Sequence, residues 1–382
     1  MKREASQEVA AADLCERSPS YIREIAPYQP GKPIAELARE LGLEESSIIK
    51  LASNENPLGV SPLARTALAG ALDELARYPD GNQFALKTAL ARRYAWPLEG
   101  IVVGNGSNDL LEMMASALLA PGRACVFSQH AFAVYPLAAQ ARGAISIVTP
   151  ARDYGHDLAA MARAVTPETR LMFIANPNNP TGTFATRGEL EALLEAVPAD
   201  VAVVLDEAYN EYLPLETRFD TVPWLARFPN LVIVRTFSKI YGLAGLRVGF
   251  GLMQPAVAEL LNRVRHPFNV NSLALEAAEA ALEDRAFVER SCALNRQGMA
   301  QLVAGVGALG LRYIPSYANF LSVELPRRDA QPQGGAVFQS LLRKGVIVRP
   351  VGGYGMPDHL RVTIGLPEEN DRFLRALSES LR

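Results

Sequence analysis

Six short apolar runs constrain this chain more than any other feature of its sequence. They are Ile101–Val103, Ala124–Phe127, Ile145–Val148, Leu171–Ala175, Val201–Leu205 and Leu231–Thr236. The first reads as a buried strand and the other five as further short strands. Helical patterns lie between several of them, at 108–119, 157–165 and 189–197, and a further helix at 64–76 opens on Ser61-Pro62, a cap followed by a proline of the first turn. Strands separated by helices must return over the sheet faces, which predicts an α/β fold with a mainly parallel sheet covered on both sides.

The pattern changes after Pro267. Residues 273–309 are rich in Ala, Leu and Glu and read as helix. Strands are expected at 320–324, 346–349 and 360–364, with a helix at 337–344 and a last one after Pro367. Residues 329–335 form a turn-rich connection, and the first thirty residues read as a polar arm before a helix at 34–41 stopped by Gly42. The expected division is an arm with part of a small domain (1–55), a large domain (56–270) and a small α+β domain (271–382).

With 382 residues, 49% of them apolar, the chain can build a large core. Its net charge of −3 lacks the Lys and Arg excess that a phosphate backbone demands, which argues against nucleic acid as a partner. Charges interrupt every apolar stretch near the N-terminus, and no run approaches the ~20 apolar residues of a membrane span. Cys15, Cys125 and Cys292 are odd in number and widely spaced, so they suit a reducing compartment, the cytoplasm. The four histidines lack metal-ligand spacing, so no metal is expected.

Four strand ends carry chemistry. The last run leads into Ser238, Lys239 and, further on, Gly245-Leu-Arg247-Val-Gly249. A lysine there sits where open α/β folds place ligands, and Ser238 and Arg247 could meet a phosphate. The fifth run ends in Asp206-Glu207-Ala-Tyr209, a carboxylate that needs a cationic partner when buried. A bound metal is one such partner, although no phosphate-loop motif accompanies it. A protonated pyridine nitrogen is another. The fourth run ends in Asn176-Pro-Asn178-Asn179-Pro180-Thr-Gly182, a turn that would carry the Asn179 amide to the same edge. The first ends in Gly104-Asn-Gly106-Ser107-Asn108, a helix N-terminus suited to an anion, with Ser107 expected as the N-cap. It lacks the third glycine of a dinucleotide fingerprint.

Together, in this order, these motifs resemble the fold-type I aminotransferases that use pyridoxal 5′-phosphate (PLP). The resemblance implies a large domain with a seven-stranded, mainly parallel sheet and a smaller α+β domain. It implies that Lys239 forms the Schiff base with PLP and that Asp206 pairs with the pyridinium nitrogen. Asn179 and Tyr209 would contact the phenolic oxygen. Gly106, Ser107, Asn108, Ser238 and Arg247 would hold the phosphate, and Phe132 would stack on the ring. Lysine, aspartate and tyrosine would carry the chemistry, because amine exchange needs a nucleophilic Lys and carbanion stabilisation needs a protonated ring.

Three further segments, Tyr28–Pro33, Lys50–Pro57 with Arg77–Asp80, and His266–Ser272, resemble the histidinol-phosphate aminotransferase family. By that resemblance Tyr28, Asn54, Arg349 and Arg361 bind substrate. Tyr78 would reach the cofactor phosphate of a partner subunit in a homodimer. The implied reaction joins L-histidinol phosphate and 2-oxoglutarate to imidazole acetol phosphate and L-glutamate. An aromatic or broad-specificity aminotransferase and a threonine-phosphate decarboxylase stand as alternatives on the same scaffold. A regulatory PLP-binding domain would need a DNA-binding region longer than the arm.

Overall fold

The computed structural model of the chain describes residues 13–328 and 330–382. The first twelve residues of the polar arm and Asp329 of the 329–335 connection lie outside them. The large sheet has seven strands: β1 (Ile101–Gly104), β2 (Ala124–Ser128), β3 (Ile145–Thr149), β4 (Thr169–Ala175), β5 (Ala202–Asp206), β6 (Leu231–Thr236) and β7 (Gly249–Leu252), ordered β1-β7-β6-β5-β4-β2-β3. β2, β3, β4, β5 and β6 pair in parallel, and only β7 runs against its neighbours. Alternate side chains feed two cores. Val203, Leu205 and Ile233 pack on one face, and Val204, Val232 and Val234 on the other, and the polar residues of β5 and β6, Asp206, Arg235 and Thr236, stand at the strand ends.

Register lines up the motifs. Ala175 of β4 lies opposite Asp206 of β5, and Gly249 of β7 lies between Gly104 of β1 and Thr236 of β6. The chain segments that follow β1, β4, β5 and β6 therefore meet at one edge of the sheet.

A second sheet is antiparallel throughout. It contains β8 (Arg312–Ile314), β9 (Phe320–Glu324), β10 (Arg349–Pro350) and β11 (His359–Thr363), in the order β8-β9-β11-β10. The strand expected at 346–349 is split. Val346–Ile347 pairs in parallel with Ile49–Lys50, and only then does Arg349–Pro350 join β11. That pairing attaches the N-terminal segment to the smaller unit. The helical stretch expected at 273–309 is two helices, Ser272–Glu283 and Arg285–Ala308, because Asp284 ends one and caps the other by accepting the Phe287 N–H.

Candidate active site

One pocket lies between the C-terminal edge of the large sheet and β10 and β11 of the small one. Of the predicted site residues, Tyr28, Asn54, Ser107, Asn108, Phe132, Asn179, Asp206, Tyr209, Ser238, Lys239, Arg247, Arg349 and Arg361 all line it. Gly106 lies directly beneath Arg247. Tyr78 does not reach the pocket. It is exposed and stacks on Phe268, with ring centroids 4.7 Å apart.

At the floor, Lys239 Nζ donates to the Ser53 carbonyl at 3.1 Å and lies 5.9 Å from the centre of the Tyr209 ring. Burial first, then the positive charge of Arg361, lowers its pKa to about 8, so about a fifth of the amine is neutral at pH 7.4. Asp206, at the end of β5, accepts the Tyr135 hydroxyl at 2.9 Å on Oδ2 and the Ala208 N–H at 3.2 Å on Oδ1. Among the described residues no cation forms an ion pair with it. Desolvation consequently pushes its pKa up to about 6. Neighbouring Glu207 serves a different purpose. It is buried in an ion pair with Arg235 at 2.8 Å and accepts the Thr221 hydroxyl, bracing the loop on the side away from the pocket.

The phosphate-type cradle has its own geometry. Gly106 occupies the N-cap position of α1 (Ser107–Leu118) at φ 83°, so Ser107 is the first helical residue and not the cap expected from the sequence. The hydroxyl is thereby released from capping, and it faces the pocket. A Cβ on Gly106 would lie 2.3 Å from Arg247 Nη2, and a Cβ on Gly249 would lie 2.4 Å from the Ser107 nitrogen. Glycine is required at Gly106 by its positive φ and at Gly249 by the close approach of backbone. Arg247, held at φ 58°, also lies 3.5 Å from Ser238 Oγ. Free N–H groups at the start of α1, two hydroxyls and a guanidinium converge on one volume, which suits a phosphate.

At the opposite end, Arg361 lies on β11 between β9 and β10 and is buried. It donates to Asn179 Oδ1 and to the Ala52 carbonyl at 2.7 Å, while its Nε has no partner. Arg349 lies on the edge strand, donates to the Gln29 carbonyl at 2.6 Å and spans the Tyr28 ring at 5.4 Å. Both arginines therefore face the pocket rather than open solvent.

Sequence reasoning missed several pocket residues. Tyr135 begins a hydrogen-bond chain to Asp206, but nothing in its local sequence points to a carboxylate 71 positions away. Tyr354 and Thr236 also line the site. Thr236 Oγ1 accepts the Ser238 N–H at 3.1 Å, a local turn contact that the two-residue spacing could have suggested.

An unpaired buried carboxylate, a desolvated lysine and an anion cradle under a glycine fit one group that carries a ring nitrogen, an aldehyde and a phosphate. The family model of aminotransferases of class I and II matches residues 46–377. Histidinol-phosphate aminotransferase 2 of Nitrosospira multiformis is 59% identical over 369 residues, covering 97% of this chain and 93% of the relative. The histidinol-phosphate aminotransferase of Methylobacillus flagellatus is also 59% identical, covering 97% and 98%. The crystal structure of histidinol-phosphate aminotransferase from Sinorhizobium meliloti, in complex with PLP, superposes with a TM-score of 0.88 at 27% identity, covering 96% of this chain and 98% of that one. An aspartate aminotransferase from Thermus thermophilus shares the fold, with a TM-score of 0.80 at 22% identity over 95% of this chain and 99% of its own. The chain belongs to the aminotransferase class I and II family.

Proposed function

We propose that this protein is a PLP-dependent aminotransferase that interconverts L-histidinol phosphate and 2-oxoglutarate with imidazole acetol phosphate and L-glutamate, a step of histidine biosynthesis. The observation that carries the chemistry is the presence, in one pocket, of Lys239 and a buried Asp206 that forms no ion pair among the described residues. When bound, PLP supplies an aldehyde on which amines exchange and a protonated ring that withdraws electrons from the substrate carbon.

The residues divide that work. Lys239, neutral in part, attaches the cofactor and afterwards moves the proton at the substrate carbon. Asp206, oriented by Tyr135, keeps the proton on the ring nitrogen. Ser107, Asn108, Ser238, Arg247 and the Gly106 backbone hold the phosphate, and Phe132 covers a ring face. Asn179 and Tyr209 contact the phenolic oxygen. Arg361, with its spare Nε, and Arg349 bind the acidic end of either substrate, beside Tyr28. A guanidinium grips carboxylate and phosphate alike, which suits an enzyme that alternates between glutamate and a phosphate ester.

The same proposal covers assembly and location. Tyr78, Leu72, Leu75 and Phe84 form an exposed apolar stretch, which suits a second copy of the chain. In such a homodimer Tyr78 would reach the partner's cofactor phosphate. Three unbridged thiols suit the cytoplasm. Among the described residues no helix is long and apolar enough to cross a membrane.

Substrate choice is tested by rate. Purified protein supplied with 2-oxoglutarate is expected to give a kcat/KM for L-histidinol phosphate at least about a hundredfold above that for L-phenylalanine. A ratio reversed toward phenylalanine would assign the chain to aromatic amino acids instead.

A further inference from the structure

Asn54 lines the pocket, yet its polar atoms are already engaged. It is buried and sits at φ 56°, a conformation that asparagine adopts more readily than most residues. Its Nδ2 donates to the Tyr209 hydroxyl oxygen at 2.9 Å. Its Oδ1 accepts the Thr363 hydroxyl at 3.2 Å, and its backbone N–H donates to the same Thr363 Oγ1 at 2.9 Å. Its carbonyl accepts the Asn319 amide at 3.0 Å. One residue of the N-terminal segment thus joins β11 of the small sheet to the loop after β5 of the large one.

The amide has two possible orientations, and they have opposite consequences for Tyr209. With Nδ2 toward Tyr209, the phenol oxygen accepts and its proton stays free to be donated into the pocket. With the amide flipped, Oδ1 would take that proton and the phenol could donate nothing further. Thr363 decides between them. Its oxygen accepts the Asn54 N–H, and the one acceptor its proton meets among the described residues is Oδ1, so that bond holds Nδ2 on Tyr209.

We infer that Asn54 and Thr363 are positioning residues that hold the Tyr209 hydroxyl as a hydrogen-bond donor to the cofactor's phenolic oxygen. Asn54 then acts chiefly through Tyr209 rather than on the substrate. The inference rests on the PLP reading above and extends it by two residues outside the motifs around the lysine. Thr363 lies two residues from Arg361 on β11, so the strand that carries the substrate arginine also carries the residue that fixes the donor.

The test is the pH at which the absorbance of the PLP-loaded protein changes, without substrate. A donor on the phenolic oxygen stabilises its negative charge, and loss of that donor leaves the proton held beside it harder to remove. Thr363→Val, nearly isosteric, should raise the transition by about one pH unit. Thr363→Ser should restore it to within about 0.3 of the parent value. Asn54→Gly, which tolerates the positive φ and removes the amide, should shift it in the same direction. In a Tyr209→Phe background, Thr363→Val should have no further effect. A Thr363→Val protein that takes up PLP and titrates like the parent would overturn the inference. So would a shift of equal size in the Tyr209→Phe background. A parent protein in which borohydride reduction does not fix PLP to Lys239 would instead overturn the assignment of Lys239, together with everything built on it. The two failures are therefore distinguishable.

Discussion

Asp206 shows function and stability pulling against each other at a single residue. The fold moves its pKa from 3.8 up to about 6, so the folded chain prefers the neutral form. Above pH 6 the carboxylate is charged in both folded and unfolded chains, and the folded chain bears the desolvation cost. Below pH 3.8 both are neutral and the cost disappears. Asp206→Asn removes the charge, keeps its amide oxygen on the Ala208 N–H and turns its NH2 to the Tyr135 hydroxyl, which then accepts. The PLP-free variant should be more stable than the parent by about 2–3 kcal/mol at pH 8, the gain shrinking as pH falls through 6 toward 4. Urea unfolding at the two pH values measures it. Turnover should fall at least about a hundredfold, because an amide cannot hold the ring proton as a carboxylate does. A variant no more stable at pH 8 would show that the charge is not strained in the folded chain.

At the scale of elements, the turn from β1 into α1 and the antiparallel strand β7 are built against each other. Gly106→Ala would add a Cβ on the Arg247 guanidinium at a positive φ, so the guanidinium must leave the cradle. PLP affinity, measured by equilibrium dialysis, should drop at least about tenfold, and the melting temperature of the PLP-free chain should fall too, because φ 83° with ψ 164° is a region open to glycine almost alone. An unchanged affinity would remove Arg247 from the cradle. These same elements mark how far the sequence could be read. Six strands were legible because continuous Val, Ile and Leu runs have no other use in a chain of this composition. β7 was not legible on its own residues. Its two glycines hide the strand, and Gly249 is a glycine because the Ser107 nitrogen comes so near. The motif residues were legible as types at strand ends. Tyr135, Asn319 and Thr363 were not, because each reaches its partner across a long span of chain with no local pattern. The boundary expected at 270–271 is also affected by packing. The helix Ser272–Glu283 buries Ala274, Ala277 and Ala281 in the large core beside Ala64, and we propose that the division follows Glu283.

For the whole molecule, the small net charge conceals an ordered distribution. The cations that matter are placed at the two ends of one pocket: Arg247 over the cradle, Arg349 and Arg361 opposite, and Lys239 between. Tyr78 stands outside this pocket, exposed and stacked on Phe268. If a second copy completes the site, each pocket takes its lysine from one chain and its Tyr78 from the other. A two-fold dimer makes that arrangement reciprocal. Lys239→Ala and Tyr78→Ala chains should each be nearly inactive alone. Co-expressed, about half of the dimers are hybrids, and each hybrid has one pocket with both residues intact. The mixture should then recover about a quarter of the parent activity per chain. Activity equal to the sum of the two single variants would show that each pocket is complete within its own chain. It would also leave the exposed stretch from Leu72 to Phe84 as an interface remote from the chemistry.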